Sequence, residues 1–205
     1  ASFHAHAATA RTYATLALGT NGAWTYTALN SNPAIQALGV GQTLTESFTV
    51  RSTDGTTSTL VVTINGSNDA PVAQAASFTV AEDAAIVNGT VTAADIDNGG
   101  THTFALNGAA PAGLTFNSNG SYSFAPAANY TGAIPVVTYT VSDGTGGTDT
   151  SALTLTMSAA NDAPTDGDET ATVTEDVTLT VNAASGLLAN ASDIDGGALT
   201  ISGFT

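Results

Sequence analysis

The tetrapeptide Asn68-Asp69-Ala70-Pro71 returns letter for letter at Asn161-Asp162-Ala163-Pro164, and the 93 residues from Asp69 to Asp162 set the size of the folding unit. Glu82-Asp83 and Glu175-Asp176 keep that spacing, as do the apolar triplets Leu60, Val62, Ile64 and Leu153, Leu155, Met157. The motif Asp95-Ile96-Asp97 comes back as Asp193-Ile194-Asp195, 98 residues on, which places a five-residue insertion in the later copy, most simply at 186–190. A second set of matches ties the N-terminal part to the middle: "LGTNGAWTY" (18–26) parallels "FNSNGSYSF" (116–124), and "FTVRSTDG" ending at Gly55 parallels "YTVSDG" ending at Gly144. The chain therefore divides into the back part of one repeat (1–69), a whole repeat (70–162) and the front part of a third (163–205).

Within the repeat, hydrophobicity alternates with period two. Val137, Tyr139 and Val141 are separated by polar residues, and the breaks between such runs carry Gly, Asn, Asp and Pro. Short antiparallel strands with one buried face are expected, six or seven per repeat, which makes an all-β, immunoglobulin-like two-sheet sandwich with Greek-key connections the natural architecture. The exception is 31–39, where Asn32 suits a cap, Pro33 the first helical position and Gly39 the stop, so one short helix is expected there. The alternating aromatics Trp24, Tyr26 and Phe48 read as core rather than as a sugar-stacking platform.

In such a sandwich the loops after the second and sixth strands emerge where the N-terminal linker enters. That end of the central repeat would gather Asn68 and Asp69 from the linker, Asp95 and Asp97 after the second strand, and Asp143 after the sixth. Glu82, following the first strand, would lie at the other end and meet Asn161, Asp162, Asp193 and Asp195. The chain has 17 acidic residues against two arginines and no lysine, for a net charge of −15. Nucleic acid and anionic membrane surfaces are thereby disfavoured as partners, and cations are favoured. Carboxylates at 4 Å repel by about 4 kcal/mol at an effective dielectric of about 20, so the clusters call for a counter-ion. Ligand sets made only of oxygen select a hard ion of high coordination number, and Ca2+ is the expected one. Asp166, Asp168 and Glu169 read as a solvated charge run, and His102 as a strand-edge residue.

The sequence has no cysteine, no run of about 18 apolar residues and no signal-peptide pattern at its start, so neither disulfides nor membrane insertion is expected and any address lies outside these residues. It also carries no serine elbow, HExxH, phosphate loop or catalytic cysteine, which argues against an enzyme.

The stretch "GTNGAWTYTALNSNPAIQALGVGQTLTESFTVRSTDGTTSTLVVTINGSNDAPV" (19–72) resembles the VCBS repeat of very large bacterial surface and RTX-type adhesins. "FTVAEDAAIVNGTVTAADIDNGG" and "ATVTEDVTLTVNAASGLLANASDIDGGALTISGF" resemble the cadherin-like tandem repeats of the same proteins. The resemblance implies extracellular cadherin-like sandwiches strung end to end, with calcium at the junctions. It assigns calcium ligands to Glu82, Asn68, Asp69, Asn161, Asp162, Asp95, Asp97, Asp193, Asp195 and Asp143. Gly66-Ser67 and Ala159-Ala160 stand where cadherins often carry another Asp, so one or two ions per junction are expected. The first junction also misses its upstream glutamate.

Three functions follow as expectations. The leading one is a calcium-stiffened spacer of a secreted or cell-surface adhesin, supporting attachment or cell–cell adhesion. The alternative is a subunit of a head-to-tail filament in which the C-terminal strands of one copy complete the N-terminal part of the next. A third makes the module a receptor for carbohydrate or protein.

Overall fold

The computed structural model describes residues 2–97, 99–130 and 132–203. Its strands are β1 (His6–Ala10), β2 (Ala14–Leu18), β3 (Trp24–Ala28), β4 (Thr43–Arg51), β5 (Thr57–Asn65), β6 (Val72–Ala73), β7 (Ala76–Ala81), β8 (Val87–Thr90), β9 (Ala93–Ala94), β10 (Thr103–Leu106), β11 (Leu114–Phe116), β12 (Ser121–Phe124), β13 (Val137–Ser142) and β14 (Thr148–Ser158). They form antiparallel sheets apart from one parallel pairing, the tandem β-sandwich organisation expected from period-two patterning.

The central repeat holds a four-stranded sheet in the order β10-β13-β14-β7 facing a three-stranded sheet in the order β11-β12-β8, with β6 and β9 paired as a short ribbon. Alternate residues of each strand point inward: Val137, Tyr139 and Val141 from β13, Leu153 and Leu155 from β14, Tyr122 and Phe124 from β12, and Val80 from β7 are all buried in one cluster. The Tyr139 ring lies at the centre, and its hydroxyl donates to the Gln74 carbonyl, so a fully buried polar tip is satisfied. Asp149 is a further polar tie, accepting the Ala73 N–H at 2.9 Å and held below the usual carboxylate range mainly by that bond. The β11–β12 turn needs Gly120, whose φ of 84° is open to few other residues. Gly22, its counterpart in β2–β3, has the same φ of 84°, so the repeat is one of backbone geometry as well as letters.

The N-terminal part builds a three-stranded sheet, β1-β2-β3, and the long β4–β5 hairpin. Helix α1 (Pro33–Gln36) is a single turn, capped by Asn32 accepting the Ala34 N–H at 2.9 Å; it ends at Ala37, two residues before Gly39. Phe48 is buried and Tyr26 donates to Glu46 at 2.8 Å, but Trp24 is 48% exposed. The core assignment of Trp24 is thus corrected. Its counterpart Tyr122 is 6% exposed because β8 pairs with β12, whereas β3 has no such neighbour among the described residues.

The third segment departs most from the alternation pattern. Among the described residues after 162 there is no strand, only the Thr165–Ser192 bridge and a 3-10 turn at Ala183–Ser185 capped by Asn182. Residues 171–181 carry the expected alternation, yet Val173 is 60% exposed while its counterpart Val80 is 3% exposed. Alternation supplies a face, but a strand forms only against a partner that takes its N–H and C=O groups.

Candidate metal centres at the module junctions

The second junction is assembled from the end of β7, the linker after β14 and the Asp-x-Asp loop of the third segment. Glu82 is fixed by its own N–H, which donates to the Ser158 carbonyl at 3.0 Å, and its side chain is turned inward with the residue 3% exposed. The Asp162 N–H donates to Asp195 Oδ2 at 2.6 Å, and the Asp195 N–H donates to Asp193 Oδ1 at 3.0 Å. Together these bonds bring carboxylate oxygens of Glu82, Asp162 and Asp195 within 4.8 Å of one another. Glu82 Oε1 and Asp162 Oδ2 are buried without a hydrogen-bond partner. A cleft of about 560 Å³ opens onto the group, with Asn161, Tyr130 and Ala160 in its walls. Burial, and after it the negative charges of Asp83 and Asp195, push the Asp162 carboxyl above the usual carboxylate range.

Three carboxylates of one sign, two of which carry an orphaned buried oxygen, make an arrangement that costs free energy when empty and fits a hard divalent cation. Glu82, Asp162 and Asp195 would hold it, with the Asn161 amide beside them. Asp83, next to Glu82, adds its charge beside Asp162 and has a structural bond of its own. It sits at φ 59° and accepts the Asn129 N–H at 2.8 Å, tying the loop that carries Tyr130 to the turn after β7.

The first junction repeats half of this design. The Asp69 N–H donates to Asp97 Oδ2 at 2.8 Å and the Asp97 N–H to Asp95 Oδ1 at 3.0 Å, the same two bonds as at the second junction. No glutamate accompanies them. Asp143 is engaged elsewhere: its carboxylate accepts Asn68 Nδ2 at 2.7 Å and the N–H groups of Thr145 at 2.7 Å and Gly147 at 3.0 Å. The Asn68 bond foremost, helped by those backbone donors and opposed by burial, holds Asp143 down at about 2. Asn68 Oδ1 accepts from the Thr145 hydroxyl, so Asn68 and Asp143 form a latch between linker and loop. Asp95 is shared with His102 at 3.2 Å, and Asp97 Oδ1 is left buried with no partner. Among the described residues, Glu82, Asp162 and Asp195 form the one acidic group close enough for a shared ion. Sequence reasoning overlooked Thr145, although a hydroxyl two residues past Asp143 is a normal turn partner for it.

Two family models tile the chain from its first junction onward: the bacterial cadherin-like domain over 68–159 and the cadherin-like domain over 160–205. The chain carries tandem bacterial cadherin-like domains. Cadherin-like domains are extracellular, non-catalytic adhesion modules, and residues 68–205 have that architecture. Among solved structures, the fold is similar to a human CDH23 fragment, EC21-23, at 18% identity and a TM-score of 0.59, over 89% of this chain and 62% of that one. Weaker likenesses run to four-domain fragments of protocadherin Gamma B7 (15% identity, TM-score 0.49, 82% of this chain and 46% of that one) and of Drosophila N-cadherin (14%, 0.48, 80% and 43%). The cadherin-like chain thus spans under two thirds of these fragments. No curated protein matches it in sequence. No helix among the described residues is long and apolar enough to cross a membrane.

Proposed function

We propose that this segment is a spacer of a bacterial surface adhesin of the RTX type, in which Ca2+ bound between modules holds successive sandwiches in a fixed extended relation and so supports attachment or cell–cell adhesion. The observation that carries the reading is Glu82: its carboxylate keeps a buried, unpartnered Oε1 and brings an oxygen within 4.8 Å of carboxylate oxygens of Asp162 and Asp195 across the junction. A cation there links β7 of one module to the linker and loop of the next. Without it, like charges push the modules apart. Asn161 and Asp193 support the same site, the first as an amide oxygen in the cleft wall and the second by orienting Asp195. At the first junction Asp69, Asp95 and Asp97 form a second, weaker site, beside which Asn68 and Asp143 latch the linker without the ion. The N-terminal part is read as the closing portion of a VCBS-type repeat.

The test is thermal unfolding combined with small-angle scattering in calcium, in magnesium and in chelator. A ligand that binds only the folded state adds about 2.7 kcal/mol at a hundred times its dissociation constant. The expected result is a calcium-specific rise in the transition and a narrower distribution of inter-module angles, both lost in Glu82→Gln. A transition indifferent to calcium refutes the reading.

A further inference from the structure

Asparagine is followed by glycine six times, at Asn21, Asn65, Asn88, Asn98, Asn107 and Asn119. The pair favours tight turns, and it is also the dipeptide in which the next backbone nitrogen most easily reaches the asparagine side chain, since glycine puts no Cβ in the way. Asn98 lies outside the described residues; the fold treats the other five differently. The Gly22 N–H donates to the Gly19 carbonyl at 3.0 Å, the Gly66 N–H to the Gln42 carbonyl at 2.9 Å and the Gly120 N–H to the Asn117 carbonyl at 2.9 Å. Val91 donates to the Gly120 carbonyl at 2.9 Å, and alternation along that antiparallel ladder puts Gly89 on the next hydrogen-bonded pair, opposite Tyr122. Gly108 differs from all four. Its N–H has no acceptor among the described residues.

Asn107 itself follows directly on β10 and is exposed to water. Its N–H continues the β10–β13 ladder to the Thr138 carbonyl at 2.9 Å, and its Oδ1 accepts the Thr140 hydroxyl at 2.7 Å. That bond draws electron density away from Cγ and would stabilise negative charge developing on Oδ1 during attack at Cγ. The carbonyl oxygens of Asn21 and Asn119 are bonded too, each accepting at 3.0 Å from the N–H two residues on, of Ala23 and of Ser121. The unbonded glycine nitrogen is therefore what sets Asn107 apart from them.

We propose that Asn107 is a site of spontaneous backbone-assisted deamidation, with water as the only co-reactant. The Gly108 nitrogen attacks Asn107 Cγ, forming an N–Cγ bond and a five-membered imide. The Cγ–Nδ2 bond breaks, and Nδ2 leaves as ammonia with the proton from Gly108. Water then opens the ring, at Cγ to give aspartate or at the backbone carbonyl to give isoaspartate, whose main chain is longer by one methylene. Either product adds a negative charge at position 107. The altered linkage lies just past the last bond of β10 to β13, so the sheet is kept and the change falls on the loop of residues 107–113. In an extracellular setting the reaction marks the time elapsed since the module folded. It is independent of the calcium reading, because none of its groups belongs to either junction.

The test is to age the full chain in mildly alkaline buffer and to map its peptides by mass spectrometry, reading the gain of about one mass unit at each asparagine. Asn107 is expected to convert roughly tenfold faster than Asn21, Asn65, Asn88 or Asn119, because a bonded N–H reacts only after local opening. In urea the five should convert at similar rates, which assigns the order to the fold and not to the dipeptide. A folded chain in which Asn107 only keeps pace with any of the other four overturns the site. Thr140→Val should slow Asn107 several-fold and leave the other four unchanged. An unchanged rate at Asn107, in a variant with the wild-type unfolding transition, overturns the part assigned to the hydroxyl. Should the valine shift that transition, Thr140→Ser decides instead: it keeps a hydroxyl and should keep the rate, and a slowed Asn107 there overturns the same part.

Discussion

The two junctions share a sequence and a pair of backbone hydrogen bonds, yet their carboxylates are spent differently. At the first, Asp143 is saturated by donors from Asn68, Thr145 and Gly147, the linker is latched by neutral and backbone groups, and a single orphaned oxygen, Asp97 Oδ1, remains. At the second, Glu82 and Asp162 keep buried oxygens with nothing to accept. The difference teaches that an acidic motif becomes a cation site through what its neighbours fail to donate, as much as through its own charge.

The contrast can be broken most forcefully at Glu82. Glu82→Ala should remove the calcium-dependent stabilisation, about 2.7 kcal/mol at a hundredfold excess over the dissociation constant, as read by calorimetry with and without chelator. The same substitution logic applied to Asn68→Ala should lower the transition equally in calcium and chelator, because that latch contains no ion. If Asn68→Ala instead erases the calcium response, the first junction is the principal site and the comparison is inverted.

Acid titration in chelator separates the two by sign. Asp162 titrates above the ordinary value of 3.8 in the fold, so its penalty is full above that raised pKa and fades as pH falls towards 3.8. Asp143, held at about 2, contributes stability that is complete above 3.8 and is lost as pH falls from there towards 2. Unfolding curves should therefore gain stability first and lose it later on acidification. Asp162→Asn should abolish the gain, and Asp143→Asn the loss. The smallest effect is expected for Thr145→Val, about 0.5–1.5 kcal/mol for one hydrogen bond to Asn68, unchanged by calcium in denaturant titrations.

Much of this was legible from residue spacing. The 93-residue offset set the expected length of the repeat, and period two placed β13 and β14 with their inward residues. The pairing of Glu82 with Asp162 and Asp195 followed from which loops share an end of a sandwich. What spacing could not show is competition: Asn68 is an equally good amide donor and carbonyl ligand, and only the position of its Nδ2, 2.7 Å from Asp143, decides between them. Residues 171–181 are the opposite case. Their alternation of Val173, Val177, Leu179 and Val181 is as regular as that of β13, and nothing in it reveals that all four would be exposed. Strand propensity reports fit to a half-buried pleated surface, and the surface has to be supplied by another strand.

The parallel pairing of β7 with β14 has a mechanical consequence. Both strands run from the end where the chain enters the module to the end where it leaves, and six residue pairs join them side by side. A pull applied through the two linkers therefore slides these strands along their length. Hydrogen bonds between parallel strands lie across that direction, so they are loaded together instead of being peeled open one at a time. The module is built to resist tension from its neighbours, and its resistance grows with the number of pairs in that one seam.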